Sequence, residues 1–251
     1  TGSSGYLGSC FIRHLLQDDP EVQVLGLDIV PPADGADHEF MTLDMQSPQL
    51  ESVLRRFSPD TVMHMGFIVP PEHDERHMHQ VNVGGSENVL RAVAATSPSR
   101  FLVTSSATAL GAWPNNPVPM DDWHVAEVCP AFSYAAHKHE LEQKLAAFVQ
   151  RNPDIAVSWA RPCIVGGPNM NNYLRRVLIG TPLTVLLDGV DSPLQLVHED
   201  DVSAALERIL RADGRGPYNV APPDWMALSA VTAVIGRPTI RLPFRFARWL
   251  A

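Results

Sequence analysis

The feature that most limits what this chain can fold into lies at its start. Gly2, Gly5 and Gly8 recur every third residue and run straight into an apolar stripe of helical period, Leu7, Phe11 and Leu15 with Ile12 and Leu16 beside it. Glycines at that spacing allow a tight turn, bring backbone N–H groups close to a pyrophosphate and let the following helix pack on a sheet, while the helix N-terminus attracts the anion. Asp28 stands 20 residues beyond Gly8, at the end of the run Val22 to Leu27. A carboxylate there accepts hydrogen bonds from both hydroxyls of an adenosine ribose and repels a 2′-phosphate. No Arg or Lys lies between Ile29 and His38, so the pattern predicts NAD rather than NADP.

Downstream, runs rich in Val, Ile and Leu alternate with stretches of helical period. Strands are predicted at Val22 to Leu27, Phe40 to Leu43, Thr61 to Met65, Phe101 to Ser105 and Ile155 to Ala160; continuous apolar runs suit strands covered on both faces. Helical stripes fall at Leu50, Val53, Leu54 and Phe57 and at Val89, Leu90, Val93 and Ala94, and a long helix runs from about Ser133 to Val149 before Asn152-Pro153 stops it. Strands separated by helical crossovers make an α/β fold, a Rossmann-type doubly wound parallel sheet. After Arg161, Pro162, Pro168, Pro182 and Pro193 break the pattern into short pieces. The division expected is a dinucleotide-binding domain over 1–160 and a smaller substrate lobe over 161–251, with some elements returning to the core.

Composition excludes several classes. The 251 residues are 45% hydrophobic and 19% charged, with no apolar run long enough to span a bilayer, so no membrane partner is expected. A formal net charge of −9 offers no footprint for a nucleic acid. Cys10, Cys129 and Cys163 are odd in number and far apart, which fits reduced thiols in a cytoplasm better than a disulfide framework or structural zinc. His73 and His77 share a helical face at a zinc-helix spacing, but no third ligand is evident, so Glu72 to His79 reads as a polar helix start and no metal is expected.

Tyr134 and Lys138 stand at i and i+4 and so on one face of the long helix. A free phenol, with pKa near 10, is a poor base at neutral pH; an adjacent ammonium and a positive nicotinamide ring favour the phenolate. Thr104-Ser105-Ser106 ends the predicted strand at Phe101 to Ser105, where a hydroxyl faces the crevice that holds ligands in such sheets. Ser106 is therefore placed to hold a substrate oxygen for proton exchange with Tyr134.

Taken in order, the glycine loop from Thr1 to Gly8, Asp28, Leu43-Asp44, Val62 to Gly66, Asn82 to Ser86, Ser105 to Thr108, Tyr134 to Lys138, Arg161-Pro162, Gly167-Pro168 and Val197 to Asp201 resemble the extended short-chain dehydrogenase/reductases, the NAD-dependent epimerase/dehydratase family. The resemblance covers essentially the whole chain. It implies that Gly2, Gly5, Tyr6 and Leu7 cradle the pyrophosphate, that Asp28 holds the ribose, and that Asp44 with Met45 meets the adenine. Met65 and Gly66 would line the dinucleotide groove, Asn82 would sit near the nicotinamide or support the site, and Lys138 would also bind the nicotinamide ribose. It further implies a homodimer through the helices from about His79 and Ser133. The family has a strand before the glycine loop and continues past the equivalent of Ala251, so the chain reads as trimmed at both ends.

The departures narrow the substrate. Family dehydratases carry Asp-Glu after the active-site Thr, where Ala107-Thr108 follow Ser106 here; UDP-sugar epimerases tend to carry Asn where this chain has Ile164, and Leu110 replaces the Tyr usual before Gly111. The pocket is thus expected to be more apolar than a sugar site. Trp113, Trp123 and Phe132, on or beside the long loop from Ala112 to Pro130, are expected to wall it. The function expected is an NAD-dependent oxidoreductase that transfers hydride between a secondary alcohol or ketone, its small-molecule substrate, and NAD. A nucleotide-sugar epimerase and a dinucleotide-sensing module without turnover are the alternatives. Glu199 or Asp200 is read as the start of a helix to Arg211, and Cys163 as packing or a backbone contact to nicotinamide.

Overall fold

Side-chain alternation along the central strands decides the layers. Phe101 and Val103 point to one side and Leu102 to the other, all fully buried, so the strand that carries them is covered on both faces. In the computed structural model, which describes residues 1–243 apart from 34, 36, 70–73, 126, 172–174, 176–179, 181, 182 and 237, the first five strands are β1 (Leu25–Asp28), β2 (Glu39–Thr42), β3 (Thr61–His64), β4 (Arg100–Thr104) and β5 (Ala156–Pro162). Short strands follow as β6 (Ile164–Gly166), β7 (Thr184–Leu187), β8 (Pro193–Leu194) and β9 (Leu196–His198), then β10 (Gly216–Val220), β11 (Met226–Ala227) and β12 (Thr239–Leu242). The helices are α1 (Tyr6–Asp18), α2 (Leu50–Phe57), α3 (Glu75–His79), α4 (Ser86–Thr96), α5 (Ser133–Arg151), α6 (Glu199–Arg211) and α7 (Leu228–Ile235).

The main sheet runs β10-β5-β4-β3, all parallel, and β1 pairs with β2 in a second parallel sheet. On one face α2, α4 and α5 bring Leu50, Val53, Val89, Val93, Leu141, Leu145 and Phe148 onto Phe101, Val157 and Trp159. On the other, Phe11 of α1 joins Val202, Leu206 and Ile209 of α6 over Leu102, Ala160 and Val220. The second half of the chain thus returns to the main sheet through β10 and to its back through α6. The helix stops are local: Ser58 and Ser97 adopt left-handed φ of 54° and 47° just before prolines, and α6 begins with Glu199, Asp200 and Asp201, acids that complement its N-terminus.

A groove of about 720 Å³, lined by Phe11, Leu27, Leu50, Leu54, Val62 and Met63 among others, separates the facing edges of β1 and β3. The opening residues close one end of it. Thr1 N donates to Met63 O and Thr1 O accepts from Met65 N, a parallel-ladder pattern, while Gly2 N donates to Leu27 O. The predicted strand from Val22 begins only at Leu25, and Val22 and Val24 line this groove. The other strand bounds differ from expectation by one or two residues, and α5 runs two residues past Val149.

Candidate functional site

The C-terminal ends of β1, β3, β4 and β5 deliver Asp28, Met65, Ser106 and Cys163 to the same end of the sheet, the side where open α/β sheets bind ligands. The glycine loop lies there. Gly2 has φ +75°, and a Cβ on it would lie 2.3 Å from Gly66 N; one on Gly8 would lie 2.1 Å from Gly2 O. Only glycine allows this approach. No side chain caps α1 at Gly5, so the first-turn amides of Tyr6 and Leu7 are open to an anion. The Ser4 hydroxyl is buried without a protein partner beside them. Asp28 accepts from Ser4 N at 3.0 Å and Val30 N at 3.3 Å, which fixes its carboxylate at the loop's edge. These residues fit a dinucleotide pyrophosphate and ribose.

Further along, Asp44 accepts from Gln46 N at 2.8 Å and Met45 lies against Gly66 and Gly85, so both stand where the loop leaves β2. Asn82 is fully buried in a π-helical turn (Gln80–Gly85). Its side chain accepts from Ile68 N at 2.7 Å and donates to Ile68 O at 3.0 Å. Of the two roles expected for Asn82, this geometry is support of the segment after Gly66. Buried His64, held well below its usual pKa by desolvation, links Thr1 Oγ1 at 2.7 Å to Ser86 Oγ at 2.8 Å, and Ser86 donates to Asn82 O.

Ser106, Tyr134 and Lys138 come together. Ser106 starts a 3₁₀ turn (Ala107–Leu110), and Tyr134 and Lys138 lie on the first turns of α5. Burial pushes the Tyr134 phenol above its ordinary pKa, and a hydrogen bond with Ser106 pulls it partly back. Lys138 Nζ donates to Thr104 O at 2.7 Å and stands 5.9 Å from the Tyr134 ring centroid. Burial lowers its pKa from 10.5 to about 7, against the opposing pull of Glu142. Phe67 and Phe132 flank Tyr134 with ring centroids 5.7 Å and 5.8 Å away.

The sequence reading missed Glu142. It lies eight residues after Tyr134 on the same face of α5, and its carboxylate pairs with Arg161 at the end of β5, with side chains only 9% and 6% exposed. Ser105 Oγ also donates to Glu142, and Arg161 Nη1 donates to Asp122 O at 2.8 Å. Asp122 in turn accepts from Asn219 N at 2.6 Å, which ties residues 112–132 to β10. An acid at Tyr+8 was the available signal.

The profile of the NAD dependent epimerase/dehydratase family matches residues 1–221. The chain belongs to this family of NAD-dependent enzymes. An uncharacterized protein of Mycobacterium tuberculosis is 28% identical over 97% of this chain and 66% of its own length; the chain therefore spans just under two thirds of that relative. Among solved structures, the UDP-glucose 4-epimerase of Thermus thermophilus in complex with NAD superposes with TM-score 0.80 at 22% identity, covering 96% of this chain and 85% of that one. The UDP-glucose 4-epimerase of Thermotoga maritima, with UDP-glucose, gives 0.81 at 16% identity over 96% and 84%. These structures share the Rossmann-type fold expected from the sequence.

The remaining candidates resolve by packing. Tyr6, a member of the family's pyrophosphate loop, sends its hydroxyl to Glu199, which Asn169 also holds at 2.6 Å through its side-chain amide. Burial pushes the Glu199 carboxyl up, but these bonds outweigh it and hold the pKa below the usual range. Cys163 is pushed up to about 11 by burial, which leaves a neutral thiol. Trp123 is 73% exposed, with its ring edge over Gly216, so it faces β10 and solvent. His73 lies outside the described residues. Among the described residues no group of three or more His, Cys, Asp or Glu is arranged to hold a metal, and no helix is long and apolar enough to cross a membrane.

Proposed function

We propose that the chain is the NAD-binding and catalytic part of an oxidoreductase that transfers hydride between a secondary alcohol or ketone and NAD. The observation that carries this reading is that Ser106, at the head of the 3₁₀ turn, and Tyr134, with Lys138 one turn on along α5, stand close enough for Ser106 to act on the phenol, at the sheet end that also holds the glycine loop. Gly2, Gly5 and the amides of Tyr6 and Leu7 bind the pyrophosphate, Asp28 the adenosine ribose, Asp44 and Met45 the adenine, and Met65 and Gly66 the groove wall. Bound NAD supplies the hydride acceptor and a positive ring. In oxidation, Tyr134 Oη takes the substrate hydroxyl proton while Ser106 Oγ holds the same oxygen. The Lys138 ammonium favours the phenolate against the burial that opposes it.

A second reading, nucleotide-sugar epimerase, draws on the likeness to UDP-glucose 4-epimerases. It shares the first half-reaction and returns the hydride to the opposite face. Ile164, half-buried after β5, argues against it because it offers no hydrogen bond to a sugar nucleotide. A pure sensor has no chemical need of the full Ser, Tyr and Lys set. The homodimer and cytoplasmic location belong to the same reading; the exposed groove between α3 and α5, lined by Glu75, His79, Ser133 and Glu140, is the face we assign to the dimer.

Assay of NAD reduction across secondary alcohols, and of NADH oxidation across ketones, tests the activity, with Tyr134→Phe as control. Turnover abolished by Tyr134→Phe with NAD affinity retained is the expected result; equal turnover in the variant overturns the assignment of the base. Near-stoichiometric NAD released on denaturation, with epimerisation of a UDP-sugar, would establish the second reading instead.

A further inference from the structure

Three groups approach Ser106 Oγ. The Thr108 amide donates to it at 3.2 Å, the Thr108 hydroxyl donates to it at 2.9 Å, and the Tyr134 phenol stands near enough for Ser106 to pull its pKa down. A hydroxyl has one proton and two lone pairs, and the amide, which can only donate, occupies one of those pairs. We propose that Thr108 is a positioning residue whose hydroxyl fills the second lone pair and leaves Ser106 a hydrogen-bond donor only, aimed at Tyr134 and at the substrate oxygen. The inference rests on the reading of Ser106 and Tyr134 as the working pair.

The turn that carries Thr108 is fixed. Ala109 and Leu110 are buried, Ala109 N donates to Ser106 O at 3.0 Å, and Gly111 N donates to Thr108 O at 3.1 Å. Gly111 has φ +74°, and a Cβ there would lie 2.1 Å from Glu127 O, so the turn is also pinned against the following loop. Thr108 cannot slide away from Ser106 without moving all of these.

The chemical consequence concerns where protons go. A donor-only Ser106 stabilises an anionic oxygen, first the Tyr134 phenolate and then the substrate oxygen as its O–H bond breaks. The substrate proton moves to Tyr134 Oη, and Ser106 keeps its own. A Ser106 free to accept would compete with Tyr134 for that proton. A carboxylate at position 108 would itself accept from Ser106 and turn its proton away from the reaction; a threonine hydroxyl donates.

The test reads Tyr134 ionisation directly. Tyr134 is faced by Lys138 from its own helix, by the uncharged Ser106 at the head of the 3₁₀ turn, and by the rings of Phe67 and Phe132. Glu142, eight residues on along α5, is paired with Arg161. Tyrosinate absorbance is titrated in the full chain with and without NAD, and Tyr134→Phe identifies its share among the four tyrosines. Thr108→Val is expected to raise the Tyr134 midpoint and lower kcat about tenfold, with KM and NAD affinity unchanged. Thr108→Ser is expected to restore both. Thr108→Ala serves if the valine variant fails to fold, with the same shift expected. An unmoved midpoint in the variant lacking the hydroxyl, or a serine variant that behaves like it, overturns the proposal. A moved midpoint in a protein that turns over no alcohol or ketone leaves Thr108 in its role and sinks the oxidoreductase reading.

Discussion

The Lys138 ammonium stands 3.6 Å over the centre of the Phe67 ring. This aromatic face and the Thr104 carbonyl are what the cation meets in place of water, and burial brings its pKa from 10.5 to about 7. Phe67 also stands edge-on to Tyr134, so one ring controls the solvation of both groups.

Phe67→Ala should therefore admit water to Lys138 and raise its pKa toward the ordinary lysine value. Acylation of Lys138 followed by mass spectrometry across pH reads this as an upward shift of the reactivity midpoint. Linkage gives a second readout. A lysine lowered on folding binds fewer protons folded than unfolded between about 7 and 10.5, so its contribution to stability is complete above that window and lost as pH falls through it. Phe67→Ala should flatten that slope in urea titrations; an unchanged slope and midpoint would show that Phe67 does not desolvate Lys138.

Glu142 and Arg161 form a buried pair, and removal of one partner leaves an uncompensated charge. Glu142→Leu or Arg161→Met alone should each cost about 3–5 kcal/mol, whereas the double variant Glu142→Leu/Arg161→Met should cost much less than their sum. Urea unfolding of the four proteins measures the coupling. Because Arg161 also holds the Asp122 carbonyl, Arg161→Met should speed proteolysis within residues 112–132. Additive losses, with unchanged cleavage, would remove the pair from its role.

At the glycine loop, Gly8→Ala puts a Cβ 2.1 Å from Gly2 O, which forces α1 away from the turn that would hold the pyrophosphate. Calorimetry should show dinucleotide affinity reduced at least 100-fold, about 3 kcal/mol, with the far-ultraviolet dichroism of the helices retained. Affinity equal to that of the parent chain would remove this turn from the binding site.

The parts legible in the sequence were those set by local period and by glycine chemistry. The apolar runs of β3, β4 and β5, the stripe on α1 and the i, i+4 pair on α5 each depend on residues close in the chain. The unread parts join distant segments. Glu142 meets Arg161 and Ser105 only after β4, β5 and α5 pack, and Tyr6 meets Glu199 across 193 residues. Asn82 was located but its task was not: a buried amide that supports a loop and one that touches a ligand look alike until the two Ile68 bonds are seen. Trp123 shows the reverse failure, since an aromatic residue on a long loop carries no sign of which side it covers.

The groove between β1 and β3 leads to the last prediction. Two parallel edges face each other across it, Thr1 and Gly2 already make ladder bonds to both, and Leu27, Leu50, Leu54, Val62 and Met63 line it. An extended segment running into Thr1 would meet unpaired N–H and C=O groups on both sides and apolar side chains above and below. Fusing five or so alternating Val and Ile residues ahead of Thr1 should therefore raise Tm by several degrees and slow amide exchange in β1 and β3, while leaving exchange in β10 unchanged. A charged segment of equal length provides the contrast: it should give neither effect, because its side chains would have to enter the two apolar faces. If the apolar fusion leaves Tm and the β1 and β3 amides as they were, the groove is not a strand site.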